Sequence, residues 1–124
     1  MKNKKFLLVL VPLLFVGTGA QAVGLRLLEF SPAKYFTAED WEQAKQTAGK
    51  ALKQGKVGET FSWQGDSSGH KGTYTVLNIQ EEEGRSCRDL QIQHVAGNVR
   101  GGGDYRFCLT DGGEWKTQGR VPAN

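Results

Sequence analysis

The sequence predicts an α+β domain: one N-terminal helix packed on an antiparallel sheet of about five strands, held by one disulfide. Three observations carry this. Apolar residues recur at three- and four-residue steps between Trp41 and Leu52. From Glu59 onward the period changes to two, broken by glycine-rich turns. The chain's two cysteines, Cys87 and Cys108, fall opposite one another when the strands that carry them are folded into a hairpin.

Before the helix lie two segments of a different kind. "MKNKK" is basic, "FLLVLVPLLFV" is apolar, and "GTGAQA" ends in small residues, the order of a secretory signal peptide cleaved after Ala22. The apolar run is too short to span a bilayer, which takes ~20 residues, and no second run of membrane length follows. Without Lys2, Lys4 and Lys5 the remainder carries 13 basic and 13 acidic side chains, so the net charge of +3 belongs to the leader. A neutral domain has no basic stripe for nucleic acid or for an anionic membrane. Residues 23–36 carry Leu25, Leu27, Leu28 and Phe30 and read as an arm that covers the core or meets a partner.

The helix has both its end signals. Thr37 is an N-cap, Asp40 three residues on completes a capping box, and Phe36 and Trp41 are placed as a hydrophobic staple. Glu39, Asp40 and Glu42 sit at the positive end of the helix dipole, Lys50 and Lys53 near the negative end. Gly55 supplies a residue able to leave the helix through a left-handed conformation. "ETFSWQ", "TYTVLNIQ", "CRDLQIQHV", "DYRFCLT" and "EWKTQ" then read as strands, with the domain spanning 37–119 and a loose tail at 120–124.

The register of the cysteine hairpin follows from one turn. With Gly97-Asn98 as a two-residue connection, Cys87 faces Cys108 and Asp89 faces Arg106. Arg88, Leu90, Ile92, Tyr105, Phe107 and Leu109 then share one face, and the cysteines and polar residues share the other. Directly opposed strand residues lie within disulfide reach, and an exported chain oxidises such a pair. A bulge at Gly101-Gly102-Gly103 would shift the count by one.

Other chemistries fit less well. Zinc held by Cys87, Cys108, His70 and His94 would want a C-x-x-C type spacing. Ser86, Asp89 and His94 cannot form a triad, because Asp89 and His94 point to opposite faces. "SSGHKG" precedes no helix, so it is no phosphate loop. Glu81-Glu82-Glu83 lacks the spaced ligands of a calcium loop. The residues left as candidate binding positions are Trp63, Ser68, His70 and Trp115, with no cofactor called for. Trp63, Trp115 and Tyr74 could line an aromatic platform, although aromatics this dense in a small domain ordinarily form its core.

Taken in order, the capped helix, Trp63 through Ser68, Gly69 and Gly72, then Gly84, Cys87 and Arg88, then Asp111, Gly112 and Trp115 resemble the C-terminal domain of the rickettsial-type outer-membrane surface antigen family. That family's first block reads W-x-N-x-x-(S/T)-G-x-x-G, followed by G-x-x-C-R, a second C-R and D-G-x-W. The match covers residues 37–117. Gly65-Asp66 stands where the family has Asn-Pro, Leu109 where it has the second arginine, and Gly113 lengthens the last turn. The family's glycine zipper and lipid-acceptor cysteine are missing. The resemblance implies an exported, non-catalytic envelope protein of the periplasm or outer membrane of a Gram-negative bacterium, whose partner is an envelope protein or a wall component. Inhibition of a wall hydrolase such as lysozyme is the alternative, with "GDSSGHKG" as the inserting loop.

Overall fold

A computed structural model describes residues 31–122. The signal segment and the start of the arm, residues 1–30, lie outside the described residues, as does the end of the tail. One helix, α1 (Ala38–Gln54), packs against a five-stranded antiparallel sheet whose strands run in chain order. They are β1 (Thr60–Gln64), β2 (Lys71–Glu82), β3 (Arg85–Ala96), β4 (Val99–Leu109) and β5 (Trp115–Arg120). No helix among the described residues is long and apolar enough to cross a membrane.

The capping box is present in both directions. The Thr37 amide donates to Asp40 Oδ2 at 3.0 Å and the Asp40 amide to Thr37 Oγ1 at 3.0 Å. The staple is an edge-on contact of Phe36 and Trp41 with ring centroids 5.4 Å apart. Ala44, Ala51 and Leu52 are the buried apolar face of the helix. Their small volume seats it closely on β1 and β2.

Gly55 does not leave the helix through a left-handed conformation: its φ is −66° and its ψ 140°. Glycine is needed there for space. A Cβ would come within 2.6 Å of a Val76 methyl and 2.5 Å of the Ala51 carbonyl oxygen. The guanidinium of Arg88 closes this end of the helix, its Nη1 donating to the carbonyls of Ala51 (3.0 Å) and Gly55 (2.5 Å). Arg88 therefore sits on the helix side of the sheet as a cap for α1, pairing the Gly55 carbonyl and adding a second donor to the Ala51 carbonyl, which already accepts from the Gly55 amide.

The hairpin register holds from Cys87↔Cys108 to Ala96↔Val99 without interruption. Gly97 has a φ of 61° while Asn98 keeps a negative one, the pattern of a type II′ turn. The disulfide forms between residues whose Cα atoms are 4.1 Å apart, and both cysteines are fully buried. Arg106 grips Asp89 with two bonds, Nε to Oδ1 at 2.8 Å and Nη2 to Oδ2 at 3.1 Å.

The three glycines lie inside β4 in straight register, and the bulges are elsewhere. Leu77 is the extra residue in β2, and Gln118 the extra residue in β5, next to Gly119 at φ 95°. Gly101 serves the packing of the arm, while Gly102 lies too close to β3 for a side chain. Residues Pro32–Tyr35 form a 3-10 turn, N-capped by Ser31, that rests on β3 and β4. A Cβ on Gly101 would come within 2.8 Å of Pro32 Cδ, and one on Gly102 would strike the Ile92 carbonyl. Thus the last residues of the arm belong to the domain, with Pro32, Ala33 and Phe36 buried in it.

Candidate functional site

Two groups of polar side chains attract attention, one under the helix and one on the bare face of the sheet. The first centres on Asp40, which is 1% exposed. Its carboxylate accepts from the Thr37 amide, from Ser68 Oγ at 2.7 Å and from His70 Nδ1 at 2.8 Å. Burial pushes its pKa up. The Thr37 amide, the Ser68 hydroxyl, the His70 ring and the Thr37 hydroxyl pull it down further, to about 2. An ionised Asp40 fixes the His70 proton on Nδ1.

Asp, His and Ser thus meet, but not as a nucleophilic triad. The Ser68 hydroxyl donates to Asp40, and its oxygen accepts from the His70 backbone amide at 3.1 Å. The hydroxyl is directed at the carboxylate instead of at the imidazole that would have to take its proton. The three residues act together to fasten the Gly65–His70 loop, which Gly65 and His70 also close by a 2.8 Å backbone bond. A Cβ on Gly65 would collide with Asp40 and Ser68, so the loop passes the carboxylate at contact distance.

Beside this cluster runs a buried hydrogen-bonded chain. Trp63 Nε1 donates to Tyr74 Oη at 3.2 Å, and Tyr74 Oη lies 2.9 Å from His94 Nε2. With the Tyr74 oxygen already accepting from Trp63, its own proton goes to His94 Nε2, which places the imidazole proton on Nδ1. Burial pushes Tyr74 up to about 12, against the pull of the Trp63 N–H, and holds His94 below its usual value. The Phe36 ring touches Trp63, His70 and His94, with centroids 5.0 to 5.9 Å apart. This is core chemistry: Trp63 Nε1, Tyr74 Oη and His94 Nε2 satisfy one another.

The four binding positions named from the sequence therefore separate. Ser68 and His70 come together on Asp40. Trp63 is 5% exposed and packs beneath them. Trp115 is half-buried on β5, at the opposite edge of the sheet from Trp63 on β1. Four strand spacings, roughly 19 Å, divide the two tryptophans, so they share no platform. The only described His, Cys, Asp or Glu grouping tight enough for a metal joins Glu82 to Cys87 and Cys108, whose sulfurs are bonded to each other.

The second group lies on the face that α1 leaves bare. Register and alternation lay out three cross-strand rows there. They are Gln64, Lys71, Val95 and Arg100; Ser62, Thr73, Gln93 and Gly102; and Thr60, Thr75, Gln91 and Asp104. Ser62, Gln64, Lys71, Gln93, Arg100 and Asp104 are exposed. Two adjoining depressions of about 400 and 460 Å³ share Gln93, Val95 and Arg100 as a common wall. Gly102 lines the first and puts no side chain into it. Among the described residues, side-chain hydrogen bonding within these rows is confined to Thr60 and Thr75, 2.8 Å apart. Hydroxyls, amides and two cations are presented together to solvent. No sequence motif marks this surface; its signal is the polar residue at every second position of β1, β2 and β3.

A scan against protein-family models, a search of curated proteins and a search of solved structures each find no match to the chain.

Proposed function

We propose that the protein is an exported, non-catalytic binding module of the cell envelope and that the bare face of its sheet is the recognition surface. The observation that carries this is the glycine-lined groove, where unspent amides, hydroxyls and cations converge on rigid strands. Sites built on strands hold their geometry better than sites on loops. The leader-like first 22 residues, the cross-strand disulfide and the ordered surface-antigen motifs support the placement outside the cytoplasm. Against catalysis, the one Ser–His–Asp grouping directs its hydroxyl away from the imidazole.

The test is photo-crosslinking in intact cells, with the crosslinker placed at Gln93 on the bare face or at Lys50 on the helix. Specific adducts from Gln93 and none from Lys50 are expected. Adducts from Lys50 alone would overturn the assignment of the face.

A specific observation also favours the inhibitor reading. The Gly65–His70 loop is fastened to buried Asp40 and raises exposed Asp66 and Ser67 at its tip. A loop held in this way loses little freedom on entering a cleft. Dose-dependent inhibition of a wall hydrolase such as lysozyme, lost on Asp66→Ala with Ser67→Ala, is the expected result on this reading. Unchanged hydrolysis at saturating protein removes it.

A further inference from the structure

From the layout of the groove we infer its ligand class: an acidic oligosaccharide, specifically the carboxylate-bearing aminosugar glycan of a bacterial wall. This rests on the bare-face reading above and adds the chemistry of what is bound. The sheet's backbone groups are engaged in the ladder, so anything lying on the face is recognised by side chains. An extended peptide would instead pair with a sheet edge. The side chains offered are Ser62, Thr73, Gln91 and Gln93, hydroxyls and amides that both donate and accept. That dual capacity suits sugar hydroxyls and N-acetyl groups, which also do both.

The charges narrow the class. Lys71 and Arg100 flank Val95 in one row, two strand spacings or roughly 10 Å apart. Asp104 stands two rows away, beyond Gly102. The groove therefore has a positive end and a polar middle. Two cations in a domain of zero net charge do not form a nucleic-acid surface, which needs several phosphate contacts. They suit a carboxylate that recurs once in a saccharide repeat. The depression beside Gln93, lined by Arg100 and Gly102, offers room for a sugar ring, and half-buried Val95 gives an apolar substituent a seat between the cations.

The experiment compares two glycans on the purified mature protein by calorimetry and by amide chemical-shift mapping. One is an oligomer of alternating N-acetylglucosamine and N-acetylmuramic acid, carrying a lactyl carboxylate on every second sugar. The other is chitooligosaccharide, the same type of backbone without carboxylates. The acidic glycan should bind about tenfold or more tightly at low salt, with shifts at Gln93, Arg100 and Gly102, and its advantage should shrink as salt rises. Lys71→Gln with Arg100→Gln should abolish the difference between the two glycans. Gln93→Ala should weaken both. These positions are exposed, so the variants should keep the parent's urea midpoint within error. Equal affinity for the two glycans, or a preference that survives loss of both cations, overturns the role given to the charges. No binding of either glycan overturns the ligand class. If Gln93 still yields specific crosslinks in cells at that point, the binding face stands without it; if it does not, both fall.

Discussion

Replacing Asp40 with Ala should be among the most damaging single changes in the domain. The carboxylate holds one end of the capping box, worth ~1 kcal/mol. It also receives the Ser68 hydroxyl and the His70 ring N–H, bonds to a charged acceptor worth ~1.5–3 kcal/mol each. Water reaches the loop side of the site and lowers these values, so we expect a total loss of about 3–4 kcal/mol. For a domain of this size each kcal/mol moves the melting midpoint by roughly 4–8 °C. Urea unfolding followed by tryptophan fluorescence measures the loss directly. The acid limb supplies an independent readout. The folded-state pKa of Asp40 is about 2, against 3.8 when unperturbed. The depressed value means that its contribution is complete above pH ~4 and is lost as pH falls through about 2. The full shift corresponds to about 2 kcal/mol, and solvent screening reduces it to on the order of 1. Asp40→Asn should flatten that limb by this amount. In a Ser68→Ala, His70→Ala background Asp40→Ala should cost clearly less than it does alone, because its partners are already gone. A wild-type urea midpoint for Asp40→Ala, or full additivity in that cycle, would refute the idea that the carboxylate anchors the loop.

Further expectations concern the disulfide, the Arg88 cap, the glycine run and the buried imidazole. Replacing Cys87 and Cys108 by serine opens a crosslink of sequence separation 21 and should cost about 3 kcal/mol in a urea titration; a mass equal to that of the reduced protein would show that the bridge does not form. Arg88→Met should cost roughly 1–2 kcal/mol by taking the guanidinium from the Gly55 carbonyl and the second donor from the Ala51 carbonyl, with the fastest amide exchange at the end of α1. Gly102→Ala should cost about 2 kcal/mol through collision with the Ile92 carbonyl, whereas alanine at exposed Gln93 should be close to neutral. His94, enclosed by Phe36, Trp63 and Tyr74, has a pKa below its usual 6.5, so the unfolded chain takes up the proton first. Its contribution to stability is therefore complete above pH ~6.5 and declines as pH falls toward the folded-state value. An imidazole NMR titration with its midpoint at or above the ordinary histidine value would contradict this.

How far the sequence speaks depends on the range of the interaction. The hairpin register was legible because four local signals agreed: the Gly97-Asn98 turn, the alternation, the facing cysteines and the Asp89–Arg106 pair. The capping box and staple were legible for the same reason, lying within five residues of each other. Longer-range roles were hidden. Arg88 read as a member of the apolar face, since nothing near it in the chain shows that a helix ends above it. Asp40 announced itself as a cap, but two of its partners lie 28 and 30 residues on. The glycine run looked like a loop or a bulge because glycine disfavours strands. The reason for Gly101 is Pro32, some seventy residues earlier, and the reason for Gly102 is the Ile92 carbonyl on the neighbouring strand; each approaches too closely for a side chain. Gly55 was read through backbone freedom where crowding decides. The bare polar face was written in the alternation of β1, β2 and β3, but which of these residues converge depends on the pairing of four strands.

The order of the strands also sets how the chain assembles. In a meander each strand pairs with the one just made, and α1 packs on the two strands that follow it. Nearly all pairings are short-range in sequence, so loop closure costs little and the sheet can grow in the direction in which the chain emerges. A few contacts reach further, among them Arg88 to the end of α1, Phe36 to His94 and Pro32 to Gly101. Pro32 cannot find Gly101 until β4 is in place, so this seat closes after β4 pairs with β3. Amide exchange that reports release of the 3-10 turn ahead of the sheet would be the kinetic signature of that order.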